Sequence, residues 1–180
     1  AVQAIADAGA ELVQDVVPPV YDYGKSRRAG LLISEVEAMD VHGATIAQDP
    51  EGFSVLFRKL LTWGAGRSTD EVEAAYQHVR DVRAAAPSLF ANVDFIIAPT
   101  APQQAFSFEE PAPANQADFT AWADFAALPA TAVFTGVIHE NGLPLSLQVM
   151  GADGRDQETL KVAAALEALF GKPPMPPGFA

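Results

Sequence analysis

The chain has 180 residues, of which 49% are hydrophobic and 19% are charged, and it contains no cysteine. This length and composition suit one folded domain or a large part of one. They exclude a disordered chain, disulfide bonds and thiolate metal sites. The formal net charge of −12 argues against nucleic acid or an anionic membrane as a partner, and no apolar run approaches the ~20 residues of a membrane span. We expect a protein of the reducing cytoplasm.

The first half of the chain is predicted to be mainly helical. Residues 1–9 are typical of the end of an Ala-rich helix, with Gly9 just after its C-terminus. Since this opening has neither an initiator Met nor a basic leader, it suggests a fragment or a processed piece rather than a signal peptide. Residues 10–17 favour a short strand that Pro18-Pro19 would stop.

Three longer helices follow in the prediction, over residues 29–48, 53–63 and 69–86. The third is the clearest, because Ser68 and Glu71 have the spacing of a capping box. Its apolar residues recur at helical spacing, and Pro87 is expected to end it.

The second half alternates strands with irregular chain. Residues 93–100 (VDFIIAPT) indicate a buried strand. Residues 102–122 are rich in Pro, Gln and Phe and predict a long loop, which in a compact region is usually functional or flexible. Asn141-Gly142 lies between two strand-like runs and predicts a type I′ hairpin. Asp156 is expected to cap a last helix that stops at Gly171, before a Pro-rich tail over 172–180.

Four residues of the hairpin region are predicted to have structural roles. Gly142 suits the turn, Pro144 suits the start of a strand, and Gly151 closes the run. Alternation along this strand directs Leu145, Leu147 and Val149 to one face and Ser146, Gln148 and Met150 to the other. If Gln148 is buried, its amide needs a hydrogen bond, and the backbone of a neighbouring loop is the expected partner.

Several short motifs suggest chemistry, but none has the context that the chemistry needs. Tyr21 and Lys25 match the Tyr-x-x-x-Lys of short-chain dehydrogenases, yet no G-x-G-x-x-G accompanies them. Residues 64–68 (GAGRS) lack the Gly-Lys-Ser/Thr of a phosphate-binding loop and are better explained by the Ser68 cap. Glu109-Glu110, in the Pro-rich loop, is interpreted as a solvated pair.

The histidines and serines give no site either. No ligand spacing relates the three histidines, which are His42, His78 and His139. No serine lies in a G-x-S-x-G turn, so a Ser-His-Asp hydrolase has no local support. The residues alone therefore predict an incomplete α/β chain, with no catalytic centre of its own, no cofactor and no metal.

Three blocks, in this order, resemble the C-terminal half of the amidase signature family. They are VDFIIAPTAPQQA (93–105), GLPLSLQVMG (142–151) and ETLKVAAALE (158–167), so that the best-matched region is 93–167. The resemblance implies an α/β fold with a mixed β-sheet covered by helices. It also implies that residues 1–180 are the C-terminal segment of one amidase domain, which is incomplete without an N-terminal half.

Members of that family hydrolyse amides with a Ser nucleophile, a bridging Ser in a cis peptide and a Lys base, and the two serines lie in a Gly/Ser-rich stretch. No such stretch occurs in this sequence. We therefore assign no catalytic residue to the chain and expect it to be inactive alone. The expected partners are a small amide substrate and the missing N-terminal half, while a homodimer is left open.

What the resemblance carries over is a wall of the substrate pocket, formed by Pro99, Thr100, Asp124 and Phe125, since loops on a rigid scaffold often provide specificity. Five aromatic residues could favour an aryl amide, although ordinary loop packing explains them equally well: Phe106, Phe108, Phe119, Trp122 and Phe125.

The sequence departs from the family at three positions. Asp124 stands where Asn is usual, Ala127 where Gly is usual, and Phe134 where Pro is usual. Because Ala disfavours the positive φ that Gly allows, the chain near Ala127 is expected to differ from the family.

Two alternatives remain. The chain could belong to the glutaminase subunit of a tRNA-dependent amidotransferase, in which a partner subunit holds the RNA. It could instead be a structural or interaction domain that kept the scaffold and lost the chemistry. A Lys and a Gly/Ser-rich run in the preceding coding sequence would favour an enzyme, and their absence would favour the structural domain.

Overall fold

A computed structural model describes residues 1–14, 20–140, 142–176 and 178 of the chain. These residues form both helices and strands, which confirms the α/β class. In chain order the elements are α1 (Val2–Asp7), α2 (Tyr23–Gln48), a 3₁₀ turn (Pro50–Gly52), α3 (Val55–Ala65), α4 (Thr69–Leu89), β1 (Phe95–Pro99), α5 (Thr120–Ala126), β2 (Ala130–Ile138), β3 (Pro144–Gly151) and α6 (Asp156–Phe170).

Side-chain caps determine where the three long helices begin. Helix α2 starts at Tyr23, six residues before the predicted position, because the Asp22 carboxylate accepts a hydrogen bond from the Lys25 amide at 2.6 Å. Ser54 caps α3 in the same way. The predicted capping box of α4 is confirmed, since Ser68 and Glu71 each accept a backbone hydrogen bond from the other.

Three predicted boundaries were wrong. Helix α4 continues through Pro87 to Leu89, because proline removes one hydrogen bond but has a helical φ. Asp156 is the first residue of α6 rather than its cap, which is Arg155. Residues 10–14 form no strand, and the remainder of that predicted strand lies outside the described residues.

The three strands form one antiparallel sheet in the order β1-β3-β2. Pairs such as Ile97 with Val149, and Val133 with Leu147, define the register. The register shifts between Phe134 and Ile138, where Gly136 has a φ of +74°, a conformation that suits a β-bulge. The hairpin between β2 and β3 is confirmed, but its turn type depends on Asn141, which lies outside the described residues.

Helices cover both faces of this sheet. On one face, Ile96 and Met150 pack with residues of α4 and α5, including Val82 and Trp122. On the other face the core consists of α1 and α6 side chains with those of β2 and β3: Ile5, Val133, Leu147, Val149, Ala163 and Leu166. The predicted alternation along β3 is confirmed, because consecutive residues contribute to opposite cores.

A smaller helical layer lies beside the sheet. Ala29 and Leu32 of α2 pack on Ala75 of α4. Helix α3 approaches α2 so closely at Gly64 that an added Cβ would lie 2.7 Å from Glu35 Cβ. No helix in the described parts of the chain has both the length and the apolarity to cross a membrane.

Candidate functional site

A cleft of about 310 Å³ lies where α5 approaches the sheet. Four segments line it: the residue after β1, helix α5, the turn into β2 with the start of that strand, and the middle of β3. Its lining residues are Thr100, Thr120, Ala123, Asp124, Leu128, Ala130, Thr131, Ala132 and Gln148. This volume is at the lower end of the range for small-molecule sites.

Thr100 is placed in the cleft by the end of β1. Its backbone amide donates a hydrogen bond to the carbonyl of Ser146 at 3.3 Å, which continues the pairing of β1 with β3 by one residue. Its Oγ1 atom is buried and has no hydrogen-bond partner among the described residues. A buried hydroxyl of this kind is costly unless a ligand or water satisfies it.

Gln148 crosses from the sheet to the long loop. The side chain is buried, and its Nε2 donates a hydrogen bond to the carbonyl of Phe119 at 2.9 Å. This is the loop-backbone partner that a buried amide was expected to need. The bond ties β3 to the residue just before α5, so it helps to hold the helix that forms the opposite wall.

Asp124 is positioned by the end of α5. The helix ends in a Schellman motif, in which the Ala127 amide donates to the Asp124 carbonyl and the Leu128 amide donates to the Ala123 carbonyl. The motif requires a left-handed residue, and Ala127 has φ 54° and ψ 45°. The expectation that Ala127 would avoid a positive φ was wrong, because two hydrogen bonds offset the strain.

The other predicted wall residues lie outside the cleft lining. Pro99 is exposed at the end of β1. Phe125 points to the far side of α5, where its ring approaches Gly30 of α2. Of the four predicted wall residues, the structure brings Thr100 and Asp124 together in the cleft.

The five aromatic residues of the long loop and α5 are separated. Trp122 is in the core, Phe119 makes an edge-to-face contact with Tyr23, and Phe108 is fully exposed. Ordinary packing therefore accounts for Trp122 and Phe119.

The residues that were predicted to be structural lie at both ends and the middle of β3. Gly142 has a φ of +82°, Pro144 pairs with Ile138 at the start of the strand, and Gly151 ends it. A Cβ built on Gly151 would collide with Thr159 Oγ1 of α6. Glycine therefore permits the close approach of α6 to β3.

Tyr21 lies near the cleft but is held by the core. Its hydroxyl donates to the Asp118 carbonyl at 2.7 Å, and burial raises the pKa of Tyr21 well above its ordinary value, with Asp118 adding to the effect. A proton-relay tyrosine needs the opposite shift. Asp118 forms an ion pair with Arg27 at 3.7 Å.

Sequence reasoning missed a buried Ser–His contact between α2 and α4. Ser26 Oγ and His78 Nε2 are 2.8 Å apart, and both residues are almost completely buried. Burial lowers the pKa of His78, and the charge of Lys25 lowers it further. Because the two residues are 52 positions apart, no local spacing could have indicated this pair.

The described residues provide no group of three or more His, Cys, Asp or Glu side chains arranged to hold a metal ion. A second hollow, of about 380 Å³, is lined by four residues of α3 alone, Val55, Arg58, Lys59 and Thr62. We therefore take the cleft between α5 and the sheet as the candidate site.

The family is decided by a match between residues 6–160 and the family model described as Amidase. The chain belongs to the amidase family. The predicted resemblance and the predicted fold class are thus confirmed.

Curated amidase relatives have one name in common, which is the A-type subunit of glutamyl-tRNA(Gln) amidotransferase. The protein of this name from Ehrlichia canis (strain Jake) is 27% identical over 201 residues, which cover 95% of this chain and 40% of that protein. Its namesake from Novosphingobium aromaticivorans is 31% identical over 197 residues, covering 91% of this chain and 38% of the relative. The chain thus spans about 40% of the length of these amidase relatives.

Solved amidase structures share the fold. A crystal structure of an amidase has a TM-score of 0.81 at 23% identity and covers 94% of this chain and 40% of that one. A bacterial aryl acylamidase of the amidase signature family has a TM-score of 0.74 at 19% identity, covering 96% and 41%. At this identity the similarity supports the fold alone.

Proposed function

We propose that this chain is the C-terminal portion of an amidase that hydrolyses a carboxylic amide C–N bond, and that it forms one wall of the substrate cleft. The observation that carries the proposal is the convergence of Thr100, Asp124 and Gln148 on one cleft within a chain of the amidase family. The segments that these residues occupy include two of the three blocks on which the resemblance rests.

The bond-breaking groups belong, in this proposal, to polypeptide outside the 180 residues. A Ser nucleophile, a bridging Ser in a cis peptide and a Lys base would come from the N-terminal half. A neutral Lys can accept the serine proton when burial lowers its pKa, and backbone amides of a Gly/Ser-rich loop would stabilise the oxyanion. This chain completes the fold and shapes the cleft.

The test compares the isolated 180-residue chain with the full protein that contains it, by ammonia release from small primary amides. We expect turnover by the full protein and none by the isolated chain. Serine-dependent turnover by the isolated chain would contradict the assignment of the catalytic groups to other polypeptide. As a control, Ser26→Ala in the full protein should leave kcat/KM unchanged, since Ser26 is buried between helices.

A second function is favoured by the names of the curated relatives. In that case the chain belongs to the glutaminase subunit of a tRNA-dependent amidotransferase, and a partner subunit holds the RNA because a net charge of −12 disfavours direct tRNA contact. Free glutamine hydrolysis that depends on an added partner subunit would support it. Partner-independent hydrolysis of simple amides would support the first proposal instead.

A further inference from the structure

We propose that the cleft selects amides that also carry a positively charged amine, and that Asp124 is the residue that binds this charge. The inference deepens the proposed function and relies on it for the amide part of the substrate. The binding of the amine is a separate property of the cleft, so it can be tested without turnover.

The cleft offers polar groups that accept hydrogen bonds and one negative charge. Its polar lining consists of the Asp124 carboxylate, three Thr hydroxyls and the Gln148 amide, whereas the other four residues are Ala or Leu. Among the described residues that line it, none is Lys, Arg or His. A cleft of this composition complements a cationic group rather than an anionic one.

Asp124 keeps its charge available to a ligand. The side chain is exposed, and no ion pair connects it with any residue that the structure describes. Asp118, six residues earlier, differs in this respect because Arg27 lies 3.7 Å from its carboxylate. A charged amine that enters the cleft would therefore meet a carboxylate that is not already neutralised.

The carboxylate is also an addition relative to the amidase pattern, in which Asn is usual at this position. Asn and Asp have the same size, so the exchange alters the charge of the wall without altering its shape. The Schellman motif that positions residue 124 uses its backbone carbonyl, so the side chain is left to the cleft. These two features indicate a role in specificity.

Thr100 provides a second acceptor in the same cleft. Its Oγ1 atom is buried and has no hydrogen-bond partner within the described chain. An ammonium group has three donors, and it can therefore satisfy both the carboxylate and this hydroxyl. The expected ligand is a primary ammonium next to an amide, held by Asp124 and Thr100.

The first experiment measures kcat/KM of the full protein for ω-aminoalkanamides and their neutral isosteres, such as 4-aminobutanamide and pentanamide. We expect the charged amide to be preferred for at least one chain length, and Asp124→Asn to lower that preference about fivefold or more. The matched control is Asp153→Asn, which makes the same charge change at an exposed loop position outside the cleft lining. This control should leave the preference unchanged.

The second experiment needs no catalysis. Butylammonium is titrated into the full protein, and the NMR signals of Thr100, Asp124 and Thr131 are followed in the wild type and in Asp124→Asn. We expect saturable shifts in the wild type and an affinity about fivefold weaker, or more, in the variant. Binding without any amide turnover would refute the proposed hydrolase but retain the cationic subsite.

The converse outcome overturns the inference. If amides are hydrolysed but Asp124→Asn and Asp153→Asn change the preference equally, or not at all, Asp124 is an ordinary solvated carboxylate. Absence of butylammonium binding in the wild type would have the same consequence. Circular dichroism and the melting temperature verify that both variants are folded.

Discussion

At the scale of single residues, the buried contact between Ser26 and His78 predicts a dependence of stability on pH. Burial lowers the pKa of His78 in the folded state below its unfolded value of about 6.5. The unfolded chain therefore binds the proton more readily, and the free energy of unfolding decreases as the pH falls below about 6.5. The slope for one proton is at most about 1.4 kcal/mol per pH unit.

Urea unfolding between about pH 7.5 and pH 5 measures this effect. His78→Gln keeps a polar side chain but cannot titrate, so its stability should change less over this interval than that of the wild type. His42 and His139 are present in both proteins and cancel in the comparison. Identical pH profiles would mean that His78 is protonated equally in the folded and unfolded states.

A second residue-scale prediction concerns Ala127, which has a left-handed conformation. This conformation costs a residue with a Cβ about 1–2 kcal/mol, and glycine adopts it freely. We expect Ala127→Gly to raise the free energy of unfolding by about 0.5–1 kcal/mol, after the entropy of the more flexible glycine is subtracted. Chemical denaturation measures the difference.

The neighbouring Ala126 gives the control. It lies within α5 and has no positive φ, so Ala126→Gly should destabilise the chain by about 0.5–1 kcal/mol or more. Equal effects of the two substitutions would show that the backbone strain at Ala127 is negligible.

At the scale of elements, the packing of α6 on β3 depends on Gly151. An added methyl group there would meet Thr159 Oγ1 and lie 3.5 Å from the Arg155 carbonyl, at the first turn of the helix. Since α6 must move to admit it, Gly151→Ala should destabilise the fold by about 1–3 kcal/mol. The midpoint of thermal unfolding should fall accordingly.

Gly66 provides a matched substitution in the same chain. Its φ is −86° and the nearest atom to an added Cβ is 3.5 Å away, which is an ordinary contact. Gly66→Ala should therefore be nearly neutral. A similar loss of stability in both variants would indicate that the close approach of α6 is not responsible.

The hydrogen bond between Gln148 and Phe119 tests the link between the sheet and α5. Gln148→Ala would leave the Phe119 carbonyl without this partner and should cost about 1–3 kcal/mol. Ser146→Ala, on the same face of β3 but exposed, should change the free energy of unfolding by less than about 0.5 kcal/mol. If the two variants have equal stability, the bond contributes little to holding α5.

At the scale of the whole molecule, the isolated chain leaves apolar surface and strand edges uncovered. Both β1 and β2 are edge strands of the sheet in the described residues. Large apolar side chains such as Leu56 and Leu160 are more than half exposed. Uncovered edges and apolar patches promote association.

We therefore expect the isolated 180-residue chain to self-associate at micromolar concentration, and the full protein to expose less apolar surface. Sedimentation velocity over a range of concentrations measures this for both. A monodisperse monomer of the isolated chain at all concentrations would contradict the expectation.

The sequence alone determined the features that depend on neighbours along the chain. The Ser68–Glu71 capping box, the strand over residues 95–99 and the hairpin before Gly142 follow from spacing and turn chemistry. The two faces of β3 follow from the period of two in a strand. The family blocks were recognised for a similar reason, because each is a contiguous run of residues.

Only the tertiary structure decided which distant residues meet. The Ser26–His78 contact, the Gln148–Phe119 bond and the cleft that joins Thr100 with Asp124 each connect segments far apart in the chain. It also decided the conformation of Ala127, where local preference predicted the wrong φ. The physical reason is that local preferences of about 1 kcal/mol are overridden when backbone hydrogen bonds and a buried helix face favour another conformation.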